Sequence, residues 1–221
     1  MEEALWSVVE AERLSLADLL TGLSAQQWQA QSLCSQWRVR DVAAHLAMTP
    51  TEPGLVRMLV GVARAHGNIW AFGRDLAREH ARRPTDQIVA ELRRDAGSRH
   101  LPPGTNGDNA LLDVLVHGQD IARPLGIARS MPRPAAVASI HRAWQLEWAF
   151  HARRRLRGLR LVATDADVQL GDGALVEGGV ADLLLLVTGR IAAAAPRLYG
   201  PGSALLPVAE LPTELTEENP T

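Results

Sequence analysis

Through the first 130 residues, apolar side chains recur at helical spacing and the interruptions carry proline, glycine or a cluster of small polar residues. This punctuation constrains the fold more than any other feature of the chain. Leu5, Val8, Val9, Leu16, Leu19, Leu20 and Leu23 fall near one stripe, which predicts a helix over 2–22 with Gly22 at its C-cap. A loop-rich connector is expected from Ser24 to Trp37. A second helix should run from Val39 to Thr49 and stop before Pro50. A long third helix is expected over 52–81, a fourth over 84–97 opened by Pro84-Thr85-Asp86, and another over 109–125 after the Gly-, Pro- and Asn-rich loop 99–108. Helices of these lengths, joined by these loops, suit an antiparallel four-helix bundle.

The texture changes after the linker Arg129 to Pro134. One helix is expected over 135–155. Leu159 to Thr164 alternates as a strand does, and Val168-Gln169-Leu170 and Leu175-Val176-Glu177 are short strands separated by a Gly171-Asp172-Gly173 turn. Residues 180–189 read as a helix with a buried Leu183-Leu184-Leu185-Leu186 run. The expected class is therefore α+β: a helical bundle over 1–130 and a small α/β domain over 131–211. A disordered tail, rich in Pro, Glu and Thr, is expected over 212–221.

The composition narrows the chemistry. All 23 basic residues are arginine, so no lysine can serve as a Schiff base or general base, and the bias fits a GC-rich host. The formal net charge of −2 gives no electrostatic reason for nucleic acid or an anionic membrane as partner. A single cysteine, Cys34, excludes an internal disulfide. The chain shows no signal-peptide pattern and no apolar run near the about 20 residues of a membrane span. A cytoplasmic protein, monomeric or homodimeric, is expected.

Asp113 and His117 lie four residues apart in an apolar helical segment, so they sit one above the other on a helix face. A carboxylate and an imidazole stacked in this way can grip one metal ion. His45, from a neighbouring helix, can supply a third ligand, and three protein ligands with an open position make a catalytic zinc site. Spacing alone is weak: Asp41 with His45 and Glu147 with His151 share it. Leu112, Leu115 and Val116 turn His117 toward an apolar interior, whereas Glu147 and His151 precede Arg153-Arg154-Arg155 on an apparently solvated face. His66, His80, His100 and His141 have no comparable partners in the sequence. Asp120 either orients His117 or pairs with Arg123. Cys34 reads more readily as a small buried residue than as a nucleophile.

The segment from Ser32 to Leu46 closely resembles the N-terminal signature of the mycothiol-dependent maleylpyruvate isomerase family, Leu-Cys-x-x-Trp-x-Val-x-Asp-x-x-x-His-Leu. That family is a branch of the DinB-like metal-binding helical bundles. Its second motif, Glu-x-x-x-His-Gly-x-Asp-hydrophobic-Ala, is matched by Asp113 to Ala122, with Asp113 in the Glu position. Gly158 to Asp165, the Gly-Asp-Gly turn and Ala181 to Arg190 resemble the family's small C-terminal α/β domain, similar in outline to sterol-carrier proteins. The resemblance implies that His45, Asp113 and His117 hold a divalent metal, most often Zn2+, and that mycothiol, the low-molecular-weight thiol of actinobacteria, is the cosubstrate. It also implies an arginine from the C-terminal domain as a clamp for an anionic substrate, and Arg190 is the expected residue. A helix C-terminal cation is the structural reading of the same side chain.

Two positions depart from the signature. Asp113 is one methylene shorter than Glu, which predicts a reach shorter by about 1.5 Å at metal–oxygen distances near 2 Å. Arg38 stands where Ser or Thr often caps the helix, a loss of about 1 kcal/mol that Asp41 in the first turn partly offsets. The expected function is a metal-dependent, mycothiol-using transferase or cis-trans isomerase acting on a small electrophile. The alternative is a non-catalytic small-ligand or metal-binding protein on the same fold.

Overall fold

The computed structural model describes residues 2–49, 69–101 and 104–207. These divide into two compact units, one of 1–32 and 37–129 and one of 33–36 and 130–221.

The first unit is helical. Helix α1 (Glu2–Thr21) buries Trp6, Val9, Leu16, Ala17 and Leu20, close to the predicted stripe. The connector after it contains a short helix that the sequence reading left as loop, α2 (Ala25–Gln29). Ser24 and Gln27 cap its start reciprocally: Gln27 N–H donates to Ser24 Oγ at 3.3 Å and Ser24 N–H donates to Gln27 Oε1 at 2.9 Å. Then come α3 (Val39–Met48), α4 (Ile69–His80), α5 (Thr85–Arg94) and α6 (Gly107–Ala122). Helices α1 and α3 each pack against both α5 and α6, closing a four-helix arrangement, while α4 lies on α3. Of the helix predicted over 52–81, the part before residue 69 lies outside the described residues, as do His66 and the tail predicted over 212–221.

In place of a threonine or serine cap, α3 is held from its own first turn. The Asp41 carboxylate accepts the Arg38 backbone N–H at 2.8 Å and the Arg38 Nε at 3.3 Å. The departure at Arg38 is thus compensated by the residue three positions on.

The second unit contains the sheet. Helix α7 (Arg133–Gln145) ends earlier than expected. Two single-turn helices follow, α8 (Glu147–Phe150) and α9 (Ala152–Arg155), separated by His151 at φ 47°. The break has a local cause: the Glu147 carboxylate turns forward to accept the N–H groups of Arg153 (2.9 Å) and Arg154 (3.2 Å). Glu147 and His151 are therefore not stacked on one helix, and their four-residue spacing has no metal-binding meaning.

Strand β1 (Leu159–Ala163) buries Leu159, Leu161 and Ala163 alternately, as predicted. It is the centre of the sheet, with β2 (Gln169–Leu170) antiparallel on one side and β3 (Ala174–Gly178) parallel on the other. The Gly-Asp-Gly segment is a turn but not a hairpin: the strands it joins flank β1 rather than pair with each other. To cross, the chain passes close over the start of β1. A Cβ on Gly171 would lie 2.4 Å from the Leu159 carbonyl oxygen, and one on Gly173 (φ 126°) 2.1 Å from that of Gly158. Only glycine fits. Helix α10 (Val180–Val187) covers the sheet and packs on α7, with Leu183 to Leu186 all buried. Asp165 Oδ1 accepts the Val180 N–H at 2.8 Å and caps its start. Among the described residues no helix is long and apolar enough to cross a membrane.

Gly173→Ala forces both the disallowed φ and the backbone clash, and should destabilise the protein by about 2–3 kcal/mol. Gly126→Ala (φ 67°, with nothing within 4 Å of the added Cβ) meets only the φ penalty and should lower the melting temperature less. Equal melting temperatures for the two variants would show that the crossing over β1 is not the tight point described.

Candidate metal centre

Helix α6 carries the centre of the site. Asn106 caps it, accepting the Asn109 N–H and donating its own to Asn109 Oδ1, each at 3.2 Å. Its inner face is Ala110, Leu111, Val114, Leu115, Gly118 and Ile121, all buried. Gly118 leaves room for Arg129, whose Nε would lie 2.8 Å from an added Cβ. Arg129 in turn donates to Glu12 Oε2 at 2.6 Å and to the Glu12 carbonyl at 3.1 Å, tying the end of α6 to α1. The glycine following His117 thus serves the packing that fixes the helix carrying His117.

On this helix Asp113 and His117 stack as their spacing requires, and α3 brings His45 to meet them. Asp113 Oδ1 stands 3.5 Å from His45 Nε2 and 3.4 Å from His117 Nε2. One ligating atom from each of the three residues lies within 4.8 Å of the others. The two imidazoles meet edge-on, their centroids 5.0 Å apart. Distances of 3.4–3.5 Å are long for hydrogen bonds. They match the edge of a tetrahedron about a zinc-sized ion, about 3.4 Å for bonds of about 2.0–2.1 Å. The Asp113 oxygen sits at nearly equal distance from both imidazoles.

The outer shell decides which nitrogen faces the centre. Asp120 is fully buried, and its Oδ2 takes the Nδ1 proton of His117 at 2.8 Å. This leaves Nε2 of His117 as the inward nitrogen. Of the two readings of Asp120, orientation of His117 is the one the structure carries. Trp37 lies over both imidazoles, with centroid distances of 5.2 Å to His45 and 6.0 Å to His117. Arg13 is a charged residue on the apolar stripe of α1, 4 % exposed. It donates to the carbonyls of Ala96 (3.0 Å) and Ser98 (2.8 Å), and its charge acts on Asp113. The sequence reading passed over Arg13 and over any role for Trp37. The signal for Arg13 was present as a lone arginine between Val9 and Leu16 at helical spacing.

Electrostatics at the site are strongly coupled. Burial pushes the Asp113 carboxyl up, but the charges of His45 and His117, the hydrogen bond from His45 and the Arg13 guanidinium outweigh it and hold the pKa down to about 2. Burial pulls the His45 imidazole down, and the Asp113 carboxylate, assisted by Asp120, more than reverses this, so its pKa is raised.

Arg190 belongs to the second unit. There its Nη1 donates to the Thr188 carbonyl at 2.7 Å, and its Nη2 lies 3.7 Å from Cys34 Sγ. Arg155 donates to the Leu186 and Val187 carbonyls at 3.0 and 2.8 Å, so arginines satisfy the end of α10. His80, which had no evident partner in the sequence, meets Glu91 Oε2 at 2.6 Å, and Arg83 pairs with the other oxygen.

Residues 9–101 match the family described as the mycothiol maleylpyruvate isomerase N-terminal domain. The match takes in Trp37 and His45 and ends before Asp113 and His117. No curated protein matches the chain. Two solved structures share its fold. A histidine-to-alanine mutant of the mycothiol-dependent maleylpyruvate isomerase superposes with a TM-score of 0.56 at 14 % identity, over 96 % of this chain and 95 % of that one. A mycothiol-dependent maleylpyruvate isomerase superposes with a TM-score of 0.52 at 15 % identity, over 86 % and 90 %. The fold is that of a DinB-like helical domain followed by a small C-terminal domain, as the sequence resemblance implied.

The coupled pair makes metal-free stability depend on pH with a definite sign. The depressed Asp113 pKa contributes stability above its ordinary value of 3.8, lost as pH falls toward 2. The raised His45 pKa contributes stability that is complete below 6.5 and lost as pH rises through the folded value. Metal-free protein should therefore melt highest between these limits and lower at pH 8 to 9, and His45→Gln should flatten the alkaline fall. Thermal unfolding from pH 4 to 9 checks this, and an alkaline limb identical in both proteins would contradict it.

Proposed function

We propose that the protein is a metal-dependent enzyme that uses mycothiol to isomerise, or to transfer the thiol onto, a small electrophilic substrate. The observation that carries this reading is the placement of the Asp113 carboxylate oxygen at tetrahedral-edge distance from two imidazole nitrogens. The family match and the shared fold support the mycothiol-dependent class.

The donor set fits a divalent ion. Two neutral imidazoles and one carboxylate form a borderline ligand set suited to Zn2+, and Asp120 fixes the tautomer of His117. His45, Asp113 and His117 are the proposed ligands. An ion held there supplies Lewis acidity, lowering the pKa of a thiol so that it is presented as an anion near neutral pH. The chain's own residues bind, orient and insulate. Asp113 is kept ionised by its neighbours and so is ready as a ligand without losing a proton. His45 must give up its proton first, which makes metal uptake more favourable as pH rises. Trp37 covers the imidazoles and lowers the local dielectric.

Arg190 is the proposed clamp for an anionic substrate. A guanidinium offers paired donors to a carboxylate in a fixed fork. Substituting lysine keeps the charge that steadies the end of α10 but loses the fork. Arg190→Lys should therefore raise KM about tenfold or more with little change in melting temperature. A fall in stability with KM unchanged would assign Arg190 to the helix end alone.

Purified protein should carry about one divalent ion per chain. His117→Ala should abolish uptake while keeping its helical circular dichroism. Asp120→Asn should weaken uptake about 10- to 100-fold. Asp113→Glu should bind as tightly as the wild type or more so. Metal analysis and competition with a chelator read all four proteins, and His117→Ala with an undiminished metal content would show that the ligands are misassigned. Mass spectrometry of a panel of electrophiles, incubated with mycothiol and either metal-loaded or stripped protein, tests the activity. Metal-dependent isomerised product or adduct is expected. Bound ligand recovered unchanged, with intact metal, would favour the non-catalytic binding reading.

A further inference from the structure

The indole N–H of Trp37 is buried and has no hydrogen-bond partner among the described residues, and the residue as a whole is 9 % exposed. Buried donors are paired in the great majority of cases, because an unmade hydrogen bond forfeits the group's hydration. The indole cannot turn away easily. The Trp37 carbonyl accepts from Ser32 N–H at 3.0 Å, Ser32 Oγ at 2.6 Å and Gln31 Nε2 at 2.8 Å, and α3 begins two residues on. The sequence therefore fixes the backbone on both sides of a ring that rests against His45 and His117. Neither of those two rings accepts the proton. His117 Nδ1 is engaged by Asp120, and the Nε2 atoms of both histidines face Asp113. An indole nitrogen only donates, so its partner must bring an acceptor.

We propose that Trp37 is a ligand-binding residue: its N–H donates to an anionic acceptor, a thiolate sulfur or a carboxylate oxygen, bound beside the two imidazoles. This rests on the metal reading of the site and adds a residue that selects what occupies the position left by His45, Asp113 and His117. A buried donor on an apolar ring favours an anion over a neutral molecule of the same shape, because hydrogen bonds to charged acceptors are the stronger.

The test uses the full chain loaded with zinc and labelled with nitrogen-15 at the tryptophan indoles. The Trp37 signal is the cross-peak missing from Trp37→Phe. Two arms titrate 2-mercaptoethanol and acetate at the same pH. The proposal expects the Trp37 signal to move downfield, saturably, in at least one arm, and the responding arm names the acceptor as sulfur or carboxylate. Calorimetry should show that ligand bound about ten- to a hundredfold more weakly by Trp37→Phe, with zinc content and melting temperature unchanged. A Trp37 signal that stays still in both arms overturns the proposal, and should Trp37→Phe not fold, no indole signal moving in either arm does the same. So does equal ligand affinity in a folded, zinc-loaded Trp37→Phe. Wild-type protein that takes up no zinc overturns the metal reading itself, and the Trp37 proposal with it. That failure is seen before any titration begins.

Discussion

One carboxylate oxygen shared by two imidazoles organises the first unit. Asp113 Oδ1 faces both Nε2 atoms, and almost every unusual feature nearby acts to keep that contact in place. Asp120 is buried to hold the ring of His117. Arg13 is buried where its charge adds to those of His45 and His117 in holding Asp113 ionised, at the cost of its own desolvation, which lowers its pKa. Gly118 is small so that Arg129 can tie α6 to α1. Buried charge of this kind is poor at stabilising a fold, since desolvation offsets most of the attraction. Its concentration around one point is what the proposed metal centre calls for.

The fold serves this arrangement by simple means. Helix α6 stacks two ligating groups a turn apart, at little conformational cost because the helix is already formed. Helix α3 supplies the third, and its start is set from within by Asp41 rather than by the residue before it. Because α1 and α3 both pack on α5 and α6, the histidine of one helix is held against the pair on another by an apolar core rather than by the polar contacts themselves.

The helices and the Asp113–His117 pair were legible in the sequence for the same reason: both are periodic signals. Leu112, Leu115 and Val116 around His117 announce that it faces an apolar interior, and the four-residue spacing places Asp113 beside it. What was not legible depended on contacts between distant residues or on local competition. Arg13 takes its meaning from Ala96 and Ser98, far along the chain. Trp37 gains its role only when α3 meets α6. The helix expected through 155 breaks because the Glu147 carboxylate prefers the backbone of Arg153 and Arg154 to continued helix. The sheet order escaped because Gly171-Asp172-Gly173 reads equally as a hairpin turn or a tight crossing, and only the partner strand decides. The short helix α2 was missed although Ser24 and Gln27 spell its cap.

The central claim is that the imidazoles of His45 and His117 and the carboxylate of Asp113 bind one ion together. X-ray absorption at the zinc edge of the loaded protein, without added thiol, tests it most directly. The account predicts a shell of nitrogen and oxygen at about 2.0–2.1 Å, with the outer scattering of two imidazoles, falling to one in any zinc retained by His117→Ala. A spectrum with no imidazole scattering, or one unchanged by that substitution, would contradict it.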